Sequence, residues 1–332
     1  MIVCHTSPMK NRKTVNPPAM LIDRVRMPSD ATDAKKEEGF IESGMKSLGE
    51  MERLCAFAGI DLDSPVAVLD WGCGPGRVTL RLIEQHPALN VTGIDVDEGA
   101  IDWLSAQDLD AKFLAIETEP PIPFEDGSFD LCVNHSVLTH IDRPAQRAWL
   151  AEIARVLKPG GHFVTSVHGP SVLLQTLENI STIPALSERW ISQWQSDRFV
   201  WAPEDAHTGS IHHDGYHTTF QHPATVEELS GYRLETRIVW AQGDLGFQDM
   251  IVLRRRTDDE ASHWTRITNE AVSEPDVTAH AGLTESELSR NWMMAAGSLS
   301  EVGRSLARLE NEIIRLRADT VTGKRSRLRS RA

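Results

Sequence analysis

The sequence predicts an α/β protein: a mostly parallel sheet of seven strands, ending in an antiparallel hairpin and followed by a helical C-terminal extension. Three observations predict it. Between residues 66 and 168, short apolar runs alternate with amphipathic stretches, the pattern of βαβ units whose sheet is covered on both faces. A glycine-rich turn, "VLDWGCGPGR", sits at the first strand-to-helix junction. Two later strand-like runs are joined by the brief connection "AQGDLG", which permits only antiparallel pairing.

The elements follow in order. Residues 1–36 mix Pro, Lys, Asn and Asp without periodicity and read as a disordered or loosely attached arm. A helix follows over "EEGFIESGMKSLGEMERLCAFAG", with Ile41, Met45, Leu48, Glu52 and Cys55 along one face and Gly59 as its stop. Then come the strand "VAVLD", the helix "RVTLRLIEQH", the strand "NVTGID", the helix "EGAIDWLSAQ" and the strand "AKFLAIE". A proline-rich loop leads to the strand "FDLCVNHSVL", the helix "RPAQRAWLAEIARVL", the turn "KPGG" and the strand "HFVTSV". Residues 166–222 lose this regularity and read as an insertion, or lid, in the domain. The short helix "TVEELS" precedes "YRLETRIVW", where Tyr232, Leu234, Thr236, Ile238 and Trp240 share a strand face, and "FQDMIVLRRR" is the last strand. The main domain therefore runs over 37–256 and the extension over 257–332. In the extension, Thr284 and Glu287 form a capping box. Leu299, Val302, Leu306, Leu309, Ile313 and Leu316 alternate spacings of three and four. That pattern describes either an amphipathic helix packed back on the domain or a short coiled coil joining two copies through residues 296–320.

Composition narrows the classes of function. A net charge of −14 opposes binding to nucleic acid or an anionic membrane, although the last residues, "GKRSRLRSRA", form a short basic tail. Cys4, Cys55, Cys73 and Cys132 are scattered, which points to a reducing compartment without disulfides or a thiolate metal site. No apolar run approaches the roughly 20 residues that cross a bilayer, and the start lacks the apolar block of a signal peptide. A cytoplasmic location is the expectation.

The glycine turn carries the chemistry. A dinucleotide fingerprint is G-x-G-x-x-G; here Gly72, Gly74 and Gly76 are spaced G-x-G-x-G, and Arg77 stands where the third spaced glycine belongs. Asp70, two residues before the turn, has no use at a pyrophosphate and suits a ligand with a positive group. Asp95 ends the next strand 19 residues after Gly76, the separation of a carboxylate that accepts ribose hydroxyls. Both acids fit a nucleoside with a cationic, phosphate-free tail.

With these motifs in order, the chain resembles the class I S-adenosylmethionine-dependent methyltransferases, in their small-molecule, type 11-like branch. "VLDWGCGPGR", "GIDVD", "FEDGSFDLCVNHSVLTHI" and "EIARVLKPGGHFVTSV" look like that family's successive motifs over about residues 66–168. The resemblance implies a Rossmann-like sheet and S-adenosylmethionine as cofactor. It implies that Gly72, Gly74 and Gly76 lie against the methionine part, with Asp70 near its ammonium group. Asp95 would bind the ribose and Val96 would pack on the adenine, while Asn134 and His135 would line the methyl-donor face. Relatives often hold the adenine amino group with an aspartate after the third strand; here Glu117, Thr118 or backbone must serve.

A neutral hydroxyl acceptor also needs its proton removed, work suited to histidine. His168, ending the fifth strand, and His217, beyond the insertion, are the candidate bases; His135 and His140 follow the fourth strand. His207, His212, His213, His217 and His222 lack the spacing of a metal site, and no metal is expected. Trp190, Trp194 and Trp201 form either an aromatic wall of the acceptor pocket or the core of a lid helix. The expected activity is methyl transfer to a small molecule or glycan, at a hydroxyl. The alternatives are a protein or RNA methyltransferase, and a non-catalytic module assembled through its C-terminal helix.

Overall fold

The computed structural model describes residues 15–24, 32–180, 183–203 and 217–271. The first described segment corrects the expectation of a loose arm. Its single helical turn, α1 (Ala19–Ile22), buries Leu21 and Ile22. An apolar pair this close to a helix start finds a partner in α2 (Asp33–Ala58), which begins four residues earlier than the sequence suggests. Gly59 ends α2 in the left-handed region, φ 77°. The buried face of α2 also differs from expectation. It runs through Phe40, Gly44, Leu48, Met51, Leu54 and Cys55, while Met45 is 43% exposed. The aromatic Phe40 and the small Gly44 set the face, because Gly44 lies directly on the backbone carbonyl of Arg77.

Next come β1 (Ala67–Trp71), α3 (Thr79–Gln85), β2 (Asn90–Asp95), α4 (Glu98–Ser105), β3 (Ala111–Ala115), β4 (Phe129–Val133), α5 (Arg143–Val156) and β5 (Leu157–Val167). The insertion supplies α6 (Pro170–Asn179), α7 (Pro184–Asp197), β6 (Phe199–Ala202) and β7 (Thr218–Gln221). The chain then forms α8 (Ala224–Leu229), β8 (Leu234–Asp244), β9 (Gln248–Arg255) and α9 (Asp258–Ala271). Asp97 caps α4 and Asp142 caps α5, each accepting from the backbone N–H three residues on.

The sheet order is β3-β2-β1-β4-β5-β9-β8. Pairs through β5 are parallel, and β9 is antiparallel to both β5 and β8. The last strand is thus the inner member of the terminal hairpin, and β8 takes the edge. Strand order reverses between β1 and β4, the switch point where α/β sheets bind ligands beyond their carboxyl ends. One face of the sheet packs Leu69, Phe163 and Ile251 against Ile153 of α5 and Leu229 of α8. The other packs Val68, Leu131 and Val164 against Leu48 of α2 and Leu82 of α3. The single shared face expected for β8 is broken by a bulge between Thr236 and Ile238. Leu234 therefore packs on the α5 side, and Ile238 and Trp240 on the α2 side.

The insertion is a small cap with a core of its own: Val172, Leu173, Trp190, Trp194, Val200 and Phe220. Trp190 and Trp194 are 2% and 3% exposed, so they fill the cap rather than wall a pocket. Its β6–β7 ribbon is stitched to the body along β7. His217 N–H donates to the His140 carbonyl, Thr219 N–H to Thr139 and Gln221 N–H to His168. No described helix is long and apolar enough to cross a membrane. The capping box, the heptad seam and its proposed dimer contact, the basic tail, and His207, His212 and His213 lie outside the described residues.

Candidate functional site

The site is assembled where β1 and β2 end. Backbone N–H groups of Gly72 and Cys73 both donate to the carbonyl of Ile94, at 2.8 and 3.1 Å, folding the turn back over β2. Gly72, Gly74 and Gly76 take φ values of 78°, 51° and 87°, all in the left-handed region that side chains with a Cβ resist. At Gly72 the restriction is doubled, since a Cβ there would collide with Val137 Cγ2. The entropy cost of the three glycines therefore yields a specific backbone path.

That path presents donors to the second acid. Gly74 N–H donates to Asp95 Oδ2 at 2.6 Å, and Asp97 N–H donates to Asp95 Oδ1 at 2.8 Å. A carboxylate has about four acceptor positions, so capacity remains for a ligand. Burial raises the carboxyl of Asp95, against the pull of those backbone bonds. Asp70 is 3% exposed and accepts from the Thr79 hydroxyl at 2.6 Å. Burial pushes it up to about 6; the Thr79 bond opposes the rise and the neighbouring Asp95 adds to it. Burial disfavours the charge on both acids, and a cation placed beside them would relieve it. Val96 is half-buried beside Asp95.

Arg77 explains its place in the motif. Its guanidinium donates to the Ser43 carbonyl at 3.1 Å and to Ser47 Oγ at 2.9 Å. Ser47 in turn donates to Asp244 Oδ1 at 2.7 Å, and Leu245 N–H donates to Glu50 Oε2 at 2.9 Å. The glycine loop, α2 and the β8–β9 turn are thereby one polar unit. Neither Ser47 nor Asp244 carries a local sequence signal, because the partners are 197 residues apart.

A second group of polar side chains lies at the ends of β4, β5 and β9. His135 follows β4, with its Nε2 buried and without a protein partner among the described residues. Burial pushes its ring down to about 4, opposed by Asp244 and reinforced by Arg77, so it is neutral at pH 7. Asn134 is wholly buried, its Oδ1 accepting from the Thr165 hydroxyl at 2.6 Å. Ser136, at φ 64°, is held by the hydroxyl of Ser166 below it and by Gln248 Nε2 at 2.6 Å. Glu117 is exposed after β3 with no contact that ties it to Asp95, while the Thr118 carbonyl accepts from Trp149.

Each candidate base borders His140. His168, 9% exposed at the end of β5, has His140, Phe220 and Phe247 around its ring at centroid distances of 6.4, 5.6 and 5.5 Å. His140 Nδ1 lies 3.2 Å from the His217 carbonyl, and the His217 ring stands edge-on to Trp201 at 5.0 Å. Asp249, across the β5–β9 ladder from Val167, is pushed up to about 6 by burial, against the Gln242 N–H bond. No sequence signal marks it, since an acid inside a strand reads as an ordinary exposed position. His222 serves the fold instead, its Nδ1 accepting from Ala224 N–H at the start of α8.

Residues 68–161 match the family described as a methyltransferase domain. A malonyl-[acyl-carrier protein] O-methyltransferase of Hahella chejuensis is 34% identical over 114 residues, covering 34% of this chain and 39% of that protein. One of the same name from Geobacter sulfurreducens is 30% identical over 128 residues, covering 36% and 45%. The chain spans only 20% to 39% of the length of the first three relatives it matches. Among solved structures, a methyltransferase from Methanosarcina mazei superposes with a TM-score of 0.42 at 22% identity, covering 59% of this chain and 94% of that one. Residues 68–161 therefore carry a methyltransferase domain.

Proposed function

We propose that the protein transfers a methyl group from S-adenosylmethionine to an oxygen of a small molecule or sugar. One observation carries the reading: the glycine loop and Asp95 form a hydrogen-bonded unit beside a buried, strained Asp70. The residues fit the cofactor. Asp95 retains acceptor positions for ribose hydroxyls, and Asp70 and Asp95 favour a positively charged tail.

Held against Gly72, Gly74, Gly76, Asp70 and Asp95, the cofactor would supply an electrophilic methyl group on a sulfonium to an aligned acceptor oxygen. This chain's work is alignment and exclusion of water, done by the loop on one side and the cap on the other. A hydroxyl acceptor passes its proton to a histidine nitrogen. His168 and His217 are the bases we favour, His168 first because it ends β5 on the ligand edge of the sheet. The O-methyltransferase names of two relatives support oxygen as the acceptor atom.

The test is incubation of the full chain with methyl-labelled S-adenosylmethionine and a metabolite extract, followed by mass spectrometry. The reading expects a labelled small molecule that vanishes with Asp95→Ala. Label found only on protein or RNA would replace it with the macromolecular alternative, and absence of cofactor binding would leave the non-catalytic one.

A further inference from the structure

The segment before α2 contributes to the cofactor site through one ion pair. Residues 15–24 begin on α3, the helix that follows the glycine loop. There Arg81, 4% exposed, donates to the Val15 carbonyl and to Asn16 Oδ1, both at 3.2 Å. Pro17, Leu21 and Ile22 are buried. Asp23 is held by Lys36 at 2.8 Å and Asn16 by Glu37 at 2.9 Å. The segment ends at Arg24, whose guanidinium pairs with Asp97 Oδ1 at the start of α4. It therefore reaches from the helix after the first acid to the helix after the second. Gly99 admits the guanidinium, since a Cβ there would lie 3.0 Å from Arg24 Nη1.

Asp97 is more than a surface partner. It is 8% exposed, its N–H holds Asp95 Oδ1, and its own Oδ1 caps α4 through Ala100 N–H. Its Oδ2 is buried and has no partner among the described residues. We propose that Arg24 is a positioning residue for the cofactor: by pairing with Asp97 it fixes the backbone that aims Asp95, and it latches the segment of residues 15–24 across the two helices flanking the site. The argument is electrostatic as well as geometric. Three acids, Asp70, Asp95 and Asp97, lie near one another here, and an unpaired Asp97 would leave an uncompensated, buried charge beside Asp95.

The inference rests on the cofactor reading above, and its test separates the two. Binding of S-adenosylmethionine and S-adenosylhomocysteine to the full chain is measured by calorimetry, with dissociation rates by stopped flow. Arg24→Ala is expected to raise Kd about tenfold, within the usual range of coupling between sites, chiefly through faster dissociation. Arg24→Lys, which keeps the charge, should restore most of the loss. Asp97→Asn, which keeps the helix cap, should reproduce Arg24→Ala. Equal Kd in Arg24→Ala and wild type overturns the proposal while leaving the cofactor reading intact. A loss that follows the melting temperature and is not rescued by lysine makes the segment merely structural and overturns it too. Wild type that binds neither compound overturns the cofactor reading and this inference with it.

Discussion

The main-chain N–H of Gly74 donates to the carboxylate of Asp95 at 2.6 Å, joining the glycine loop to an acid 21 residues further on. The acid proposed to bind the ligand is thus also the brace of the loop, so a ligand on Asp95 would sense the conformation of Gly74. Asp97 N–H completes the brace from the other side.

Asp95→Ala removes the acceptor of two backbone N–H groups together with the ribose partner. Each orphaned donor costs about 1–3 kcal/mol where water cannot replace the acceptor. Cofactor Kd should rise at least about tenfold, and amide exchange at Gly74 and Asp97 should quicken in the free protein. Asp95→Asn, keeping one acceptor oxygen, should fall between. Wild-type affinity in the alanine variant would mean that the site lies elsewhere.

Asp70 should oppose stability where it serves binding. Its folded carboxyl sits at about 6, above the ordinary 3.8, so the folded chain holds that proton more tightly than the unfolded chain. The resulting stability is complete below pH 4 and is lost as pH rises through about 6. Asp70→Asn retains an acceptor for Thr79 and needs no buried charge. At pH 7.5 the cofactor-free variant should be more stable than wild type by roughly 1–3 kcal/mol, with the difference closing near pH 4. Cofactor affinity should move the other way, falling about tenfold or more. Denaturant melts at the two pH values and calorimetry check both signs; a variant less stable at pH 7.5 contradicts the strain argument.

What was legible in the sequence follows interaction range. The order of the strands from "VAVLD" to "HFVTSV" could be read because period and turn chemistry are local, though β4 stops at Val133 and "KPGG" is part of β5. The face of α2 could not, because Gly44 is buried by the carbonyl of Arg77, a contact between distant segments. The bulge at Thr236–Ile238 escaped for the same reason: strand period says nothing of the partner's register. The insertion hid a small core because Trp190 and Trp194 find Phe220 only after the ribbon folds back. Arg24, Ser47 and Asp244 are polar residues in ordinary settings until the fold brings their partners to them.

The separate core of the cap predicts separable stability. Trp190, 2% exposed, packs on Phe220 at a ring distance of 5.4 Å. Trp190→Ala should cost the cap about 3–5 kcal/mol with little effect on the sheet, whose two cores do not include it. Hydrogen exchange should rise across 170–202 and 218–221, cofactor Kd should stay within about twofold, and acceptor KM should rise. A single lowered transition for the whole chain would show that the cap and sheet fold as one unit.

The two candidate bases are distinguishable by what each also supports. The backbone of His217 joins β7 to His140, but its ring touches Trp201 in the cap. The ring of His168 stands at the end of β5, between the cap's Phe220 and Phe247 of the β8–β9 turn. If His168 takes the acceptor proton, His168→Gln should lower kcat about 10²–10⁴-fold while cofactor Kd stays unchanged. The loss should shrink as pH rises, since hydroxide ionises part of the acceptor. His217→Gln should instead shift acceptor KM more than kcat, through the loosened ribbon. Steady-state kinetics from pH 6 to 9 separate the outcomes. A large pH-dependent loss in His217→Gln alone would transfer the base to His217, and pH-independent losses in both would give the histidines a packing role only.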